Sequence, residues 1–285
     1  MARTSGLRRA VTIVLALVLV AGGIYTAIAL LQRSETLVTE GCTAVVGSQT
    51  AELATDQAAN AALITAVAVK RGLPPRAASI ALATAMQESK LRNIDHGDQA
   101  GPDSRGLFQQ RPSQGWGTED EVKDPRHATN AFYDALVKIP GYEALEITDA
   151  AQRIQRSAYP RAYAQHEAMG RSFASALTGQ TPEAVNCTLR SPEAAGETGV
   201  VIDELTAAYG TVSAVEDGRQ VVVEASGRQA WSVAQWAVAN AKELSVSQVD
   251  VDGRSWNRLK RDGWQESDGA AGRVTITVSA APAAN

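Results

Sequence analysis

Residues 77–86 read AASIALATAM, and this run constrains the chain more than any other. Ten positions without a charge make a helix that must be buried on nearly every side. Pro74 and Pro75 block continuation from upstream, and Pro75 suits a first helical position, so a helix is predicted over residues 76–91. On it Ala77, Ile80, Ala81, Thr84 and Glu88 share one face. Gln87 and Glu88 are the first strongly polar groups, placing Glu88 near the C-terminal end of a buried helix. Low-dielectric surroundings and the negative end of the helix dipole both disfavour a carboxylate there and raise its pKa. A plainer reading has Glu88 capping the helix near solvent, paired with Lys90 or Arg92.

Sixteen residues further on the chain reads Ser104-Arg105-Gly106-Leu107-Phe108-Gln109, then Gln110-Arg111-Pro112 and Gln114-Gly115-Trp116-Gly117. Gln109 and Gln110 offer amide donors and acceptors suited to sugar hydroxyls and acetamido groups. Trp116 offers a flat face for stacking on a sugar ring, although a lone tryptophan is more often core. Gly106 is expected to let the backbone approach a ligand closely. Following a buried glutamate, these residues read as one wall of a sugar-binding groove. A carboxylic acid that keeps its proton near neutral pH is what cleavage of a glycosidic bond needs.

Gln87-Glu88-Ser89 near the end of an apolar helix, followed by Ser104-Arg105-Gly106-Leu107-Phe108-Gln109, resembles the lytic transglycosylase and goose-type lysozyme superfamily over residues 52–178. Asp124-Pro125 with Asn130, Phe132 and Tyr133 resembles that family's next helix. The resemblance implies a lysozyme-like fold and cleavage of the MurNAc-GlcNAc β-1,4 bond of peptidoglycan. It makes Glu88 the catalytic acid and Ser89, Ser104 and Gln109 sugar-positioning residues. Gln110 and Trp116 join them as candidate substrate contacts. Where the family has Ala-Tyr-Asn, this chain has Ser157-Ala158-Tyr159-Pro160, which makes Tyr159 a groove candidate without the asparagine.

Most glycosidases use two carboxylates. Asp95, Asp98 and Asp103 are candidates for the second, although three acids in a turn-rich loop usually form solvated surface. Their spacing does not fit an EF-hand calcium loop. In the resembled family one glutamate often suffices, acting as acid and then base while the muramic acid 6-hydroxyl closes an anhydro ring. No cofactor and no metal are expected, since His96, His127 and His166 lack ligand spacing.

The 285-residue length suggests two domains. Residues 11–31 carry no charge and are long enough, as a helix, to cross a bilayer. Arg3, Arg8 and Arg9 precede them, which predicts a cytoplasmic tail over 1–10, a single-pass cell-membrane anchor over 11–31, and everything later outside. A cleaved signal peptide is the alternative, with a shorter apolar region. Outside the membrane, Cys42 and Cys187 read as one disulfide rather than two buried thiols. The net charge of -4 makes nucleic acid a poor partner.

The expected organisation is a linker over 32–50, a mostly helical domain over 51–187, a linker over 188–198 and a small α+β domain over 199–285. The fold class is α+β. In the first domain helices are predicted over 51–71, 124–138, 148–157 and 160–177. In the last, strands are expected at Val221-Val222-Val223 and over 274–278, with a helix over 229–243. Asp252-Gly253 marks a hairpin. Trp256 and Trp264 read as core. The functional expectation is a membrane-anchored enzyme that cleaves peptidoglycan glycan strands, a lytic transglycosylase or muramidase. The alternative is a non-catalytic peptidoglycan-binding or envelope-assembly scaffold whose C-terminal domain docks an envelope protein.

Overall fold

The structure is a computed structural model that describes residues 13–26, 38–99, 101–156 and 161–280. It divides into residues 1–39 and a compact unit of residues 40–285. In the first, residues 13–26 form a helix, α1, with exposed side chains. The expected anchor over 11–31 extends past α1 on both sides into residues outside the description, as does the expected tail over 1–10. Among the described residues no helix is long and apolar enough to cross a membrane.

The second unit opens with a hairpin, β1 (Gly41–Val46) and β2 (Gln49–Leu53). This corrects the later part of the linker expected over 32–50, whose residues 32–37 lie outside the described ones, and the helix start expected at residue 51. The reason is a period of two: Cys42 and Ala44 on β1, and Ala51 and Leu53 on β2, are buried alternately along their strands. The helix α2 (Thr55–Lys70) starts after the hairpin, with the Gln57 side chain accepting the Ala54 amide at 2.9 Å. Gly72, at φ 65°, turns the chain into α3 (Pro75–Ser89), and Pro75 occupies its first turn. Every residue from Ala77 to Ala85 is buried, as the uncharged run requires.

Around α3 lie α4 (Glu119–Lys123), α5 (Pro125–Leu136), α6 (Ile147–Gln155) and α7 (Glu167–Leu177). α7 packs most extensively on α3. Gly170 permits this: a Cβ there would lie 2.7 Å from the Ser79 carbonyl oxygen. A strand β3 (Val185–Thr188) then returns beside β1, giving the sheet order β2-β1-β3. Cys42 and Cys187 stand opposite each other in that pairing and are joined by a disulfide.

The remainder is α8 (Thr198–Tyr209), β4 (Ala214–Asp217), β5 (Gln220–Glu224), α9 (Gly227–Ala239), β6 (Val246–Val251), β7 (Arg254–Asn257), β8 (Trp264–Glu266) and β9 (Arg273–Val278). The strands form an antiparallel sheet in the order β4-β5-β9-β6-β7-β8. The expected Asp252-Gly253 turn joins β6 to β7, both residues having positive φ. The class is therefore mixed α+β, as expected from sequence.

The stretch after β3 is irregular, yet the parts on either side share one hydrophobic core. Buried polar groups fasten them. Gln235 of α9 accepts the Val185 amide at 2.7 Å and donates to the carbonyls of Ala176 at 2.7 Å and Thr181 at 3.0 Å. Trp256 donates to the Asn186 side chain and Trp264 to the Val185 carbonyl, each at 2.9 Å. Both tryptophans are core residues, as their sequence context predicted.

Candidate functional site

Glu88 sits one residue before the end of α3, half-buried, where the uncharged helix first reaches solvent. The Tyr163 hydroxyl donates to Glu88 Oε1 at 2.6 Å. Gln155, the last residue of α6, also hydrogen-bonds the carboxyl, and its Nε2 donates to the Phe108 carbonyl at 2.8 Å. Burial pushes the Glu88 pKa up and the charge of Asp98 adds to this, while the bonds from Tyr163 and Gln155 pull the other way. The pairing with Lys90 or Arg92 does not occur. Arg92 is bound to Asp56 at 2.6 Å, and Lys90 is the left-handed residue that ends α3. Glu88 thus contacts two uncharged donors, and no cation among the described residues adds a charge that would offset the effect of burial.

The second motif lies against this helix end. Leu107 and Phe108 are buried, and Phe108 stacks on Phe132 of α5 with ring centroids 4.5 Å apart. Ser89 ties the two segments together, its hydroxyl donating to the Leu107 carbonyl at 2.8 Å. Ser104 is buried in the turn that begins at Gly101, donating its amide to that residue's carbonyl at 3.0 Å. Gln109 is half-buried and holds a left-handed backbone at φ 48°, a strained state for a residue with a side chain. Trp116 is half-buried, with part of its ring packed on the core.

Two residues differ from their sequence-based roles. Gln110 is only 1% exposed, and its Nε2 donates to the Ala128 carbonyl at 2.9 Å, so its amide group holds the loop to α5. Gly106 does make a close backbone approach, but to the chain itself: a Cβ there would overlap the carbonyl oxygen of Val122. With φ at 77° as well, Gly106→Ala is expected to destabilise the fold by about 2–4 kcal/mol, measurable by urea denaturation.

Tyr159 lies outside the described residues. The tyrosine that reaches Glu88 is Tyr163, whose signal in the sequence is a second Ala-Tyr pair, Ala162-Tyr163. Gln155 carried no signal, because nothing in a helical stripe says which end residue will meet a distant carboxyl. Among the loop acids, Asp103 is committed to structure. Hydrogen bonds from the Ser113 hydroxyl and amide and from Arg111 hold its carboxyl far below the usual range. Asp95 is exposed beside His96, leaving Asp98 as the loop acid whose charge reaches Glu88. Gln87 is held by Gln165 and faces His166 at 3.1 Å, whose pKa is lowered by burial. Among the described residues no cluster of His, Cys, Asp and Glu could hold a metal ion.

Removing the Tyr163 hydroxyl takes away a bond that favours the Glu88 carboxylate. In Tyr163→Phe the Glu88 pKa should therefore rise further, moving the alkaline limb of any Glu88-dependent activity to higher pH. A pH–rate profile of the two proteins reads this directly.

No family model matches the chain, and no curated protein matches it.

Proposed function

We propose that this chain cleaves the glycan strands of peptidoglycan at the MurNAc-GlcNAc β-1,4 bond, with Glu88 as general acid and then base. The observation that carries the reading is the Glu88 carboxyl itself. It is partly withdrawn from water, raised in pKa by that burial, and bonded to the uncharged donors Tyr163 and Gln155. A general acid for glycoside cleavage must hold its proton near neutral pH and deliver it to the departing glycosidic oxygen. Tyr163 and Gln155 fix the direction in which the carboxyl points. The strained Gln109 lies in the motif that the sequence resemblance assigns to sugar positioning, and the half-buried Trp116, a stacking candidate by its chemistry, follows it, while Ser89 acts through the Leu107 backbone. The resemblance to lytic transglycosylases and goose-type lysozymes over residues 52–178 supports the same reading.

In this proposal residues 11–31 anchor the protein in the cell membrane and the compact unit works outside it. The disulfide between Cys42 and Cys187 supports an oxidising compartment. The test is incubation of the purified chain with isolated peptidoglycan and mass spectrometry of the soluble products. Anhydro-muramic ends identify a transglycosylase and reducing ends a hydrolase. Binding to peptidoglycan with no fragment released would reject cleavage in favour of a scaffold.

A further inference from the structure

The described residues also form a cleft of about 530 Å³ where the helical and sheet parts meet. The end of α2, the start of α3, the segment after α7, the end of α8 and the start of α9 all contribute to it, and Glu88 does not. Its lining carries two cations, Lys70 and Arg228, and no carboxylate. Among the described residues neither has an ion-pair partner, whereas nearby Arg71 is matched by Asp134 and Arg126 by Glu204.

The walls of the cleft are fixed. The Tyr209 hydroxyl, at the end of α8, donates to the Ser232 carbonyl at 3.0 Å, and the Ser232 hydroxyl donates to the Leu177 carbonyl at 2.7 Å. The Lys70 stem runs over Gly210, where a Cβ would lie 3.3 Å from Cε. Arg228 stands in the first turn of α9, a position where a helix disfavours a cation. Two cations with no carboxylate among the cleft's lining residues give it a positive field, to which the N-terminal end of α9 adds.

We propose that this cleft binds a phosphoryl group carried on a small polar molecule. Lys70 and Arg228 approach from different elements, and the Gln180 amide and Thr211 hydroxyl add donors from two more. Such a spread suits the three outer oxygens of a phosphoryl group better than a planar carboxylate, which a single guanidinium can match edge-on. The volume leaves room for a polyol or sugar beside the phosphorus. This site stands independently of the glycan-cleavage reading.

Isothermal titration calorimetry of the full-length chain tests it, with inorganic phosphate and sn-glycerol 3-phosphate as probes and chloride at matched ionic strength as control. Saturable binding of one phosphoryl ligand per chain is expected, weakened at least tenfold in Lys70→Gln/Arg228→Gln. Both positions are exposed, and unchanged circular dichroism of the variant would separate lost binding from lost folding. Tighter binding of glycerol phosphate than of phosphate would identify a phosphorylated polyol as the ligand class, and equal binding the free ion. Uptake no different from the chloride control, or equal binding by the double variant, would overturn the proposal.

Discussion

Replacing Glu88 with glutamine should slow release of peptidoglycan fragments by roughly 10²–10⁴-fold, the usual contribution of a positioned general acid. The amide keeps the size of the side chain and can still accept from Tyr163, so the loss reports proton donation rather than collapse of the site. Turbidity of a peptidoglycan suspension gives the rate. Parent-like clearance by the variant would sink the assignment. Stability gives an independent readout. Burial raises the Glu88 pKa in the folded chain above its unfolded value, so the folded state holds the proton more tightly. Stability from this group is fully present below the ordinary carboxylate range and is lost as the pH rises through the folded pKa. Glu88→Gln escapes that loss. It should be more stable than the parent at neutral pH, by about 0.5–2 kcal/mol as is common when a functional group held at a cost to stability is removed, and no more stable in acid. Melting temperatures at two pH values would show the difference.

The second large effect is expected at Gln235→Met. Methionine nearly matches the volume but cannot accept from the Val185 amide or donate to the Thr181 carbonyl. The Ala176 carbonyl keeps a bond from the Gly179 amide. The Val185 amide is then left unpaired in a fully buried position and the Thr181 carbonyl in a half-buried one. At about 1–3 kcal/mol each, the fold should lose about 2–6 kcal/mol. In a unit of this size that is a drop in Tm of roughly 4–24 °C. A variant melting within a degree of the parent would mean that the helical and sheet parts are not held together by this side chain.

Glu88 shows how far local reasoning reaches. An uncharged run between a proline pair and a polar end specifies a buried helix, and burial plus position specify a carboxyl with a raised pKa. These follow from covalent sequence and hydration alone. The Asp252-Gly253 turn, the strand at Val221-Val222-Val223 and the core placement of Trp256 and Trp264 were legible for the same reason, since each depends on a short pattern. The Gly41–Leu53 hairpin was not, because a strand pair this short has its alternation hidden among small residues beside the helix that follows. Nor was the function of Gly106 or Gln110, whose partners Val122 and Ala128 are 16 and 18 residues downstream.

The sequence by itself determined the chemical character of Glu88, the α+β class and the presence of two cysteines suited to an oxidising compartment. Only the tertiary structure decided who surrounds the acid. Tyr163 and Gln155 reach Glu88 from segments 75 and 67 residues away. The two halves likewise close into one unit through Gln235 and the two tryptophans. Such pairings depend on how helices and strands pack, and packing is settled by the summed fit of many side chains. No local pattern records that sum.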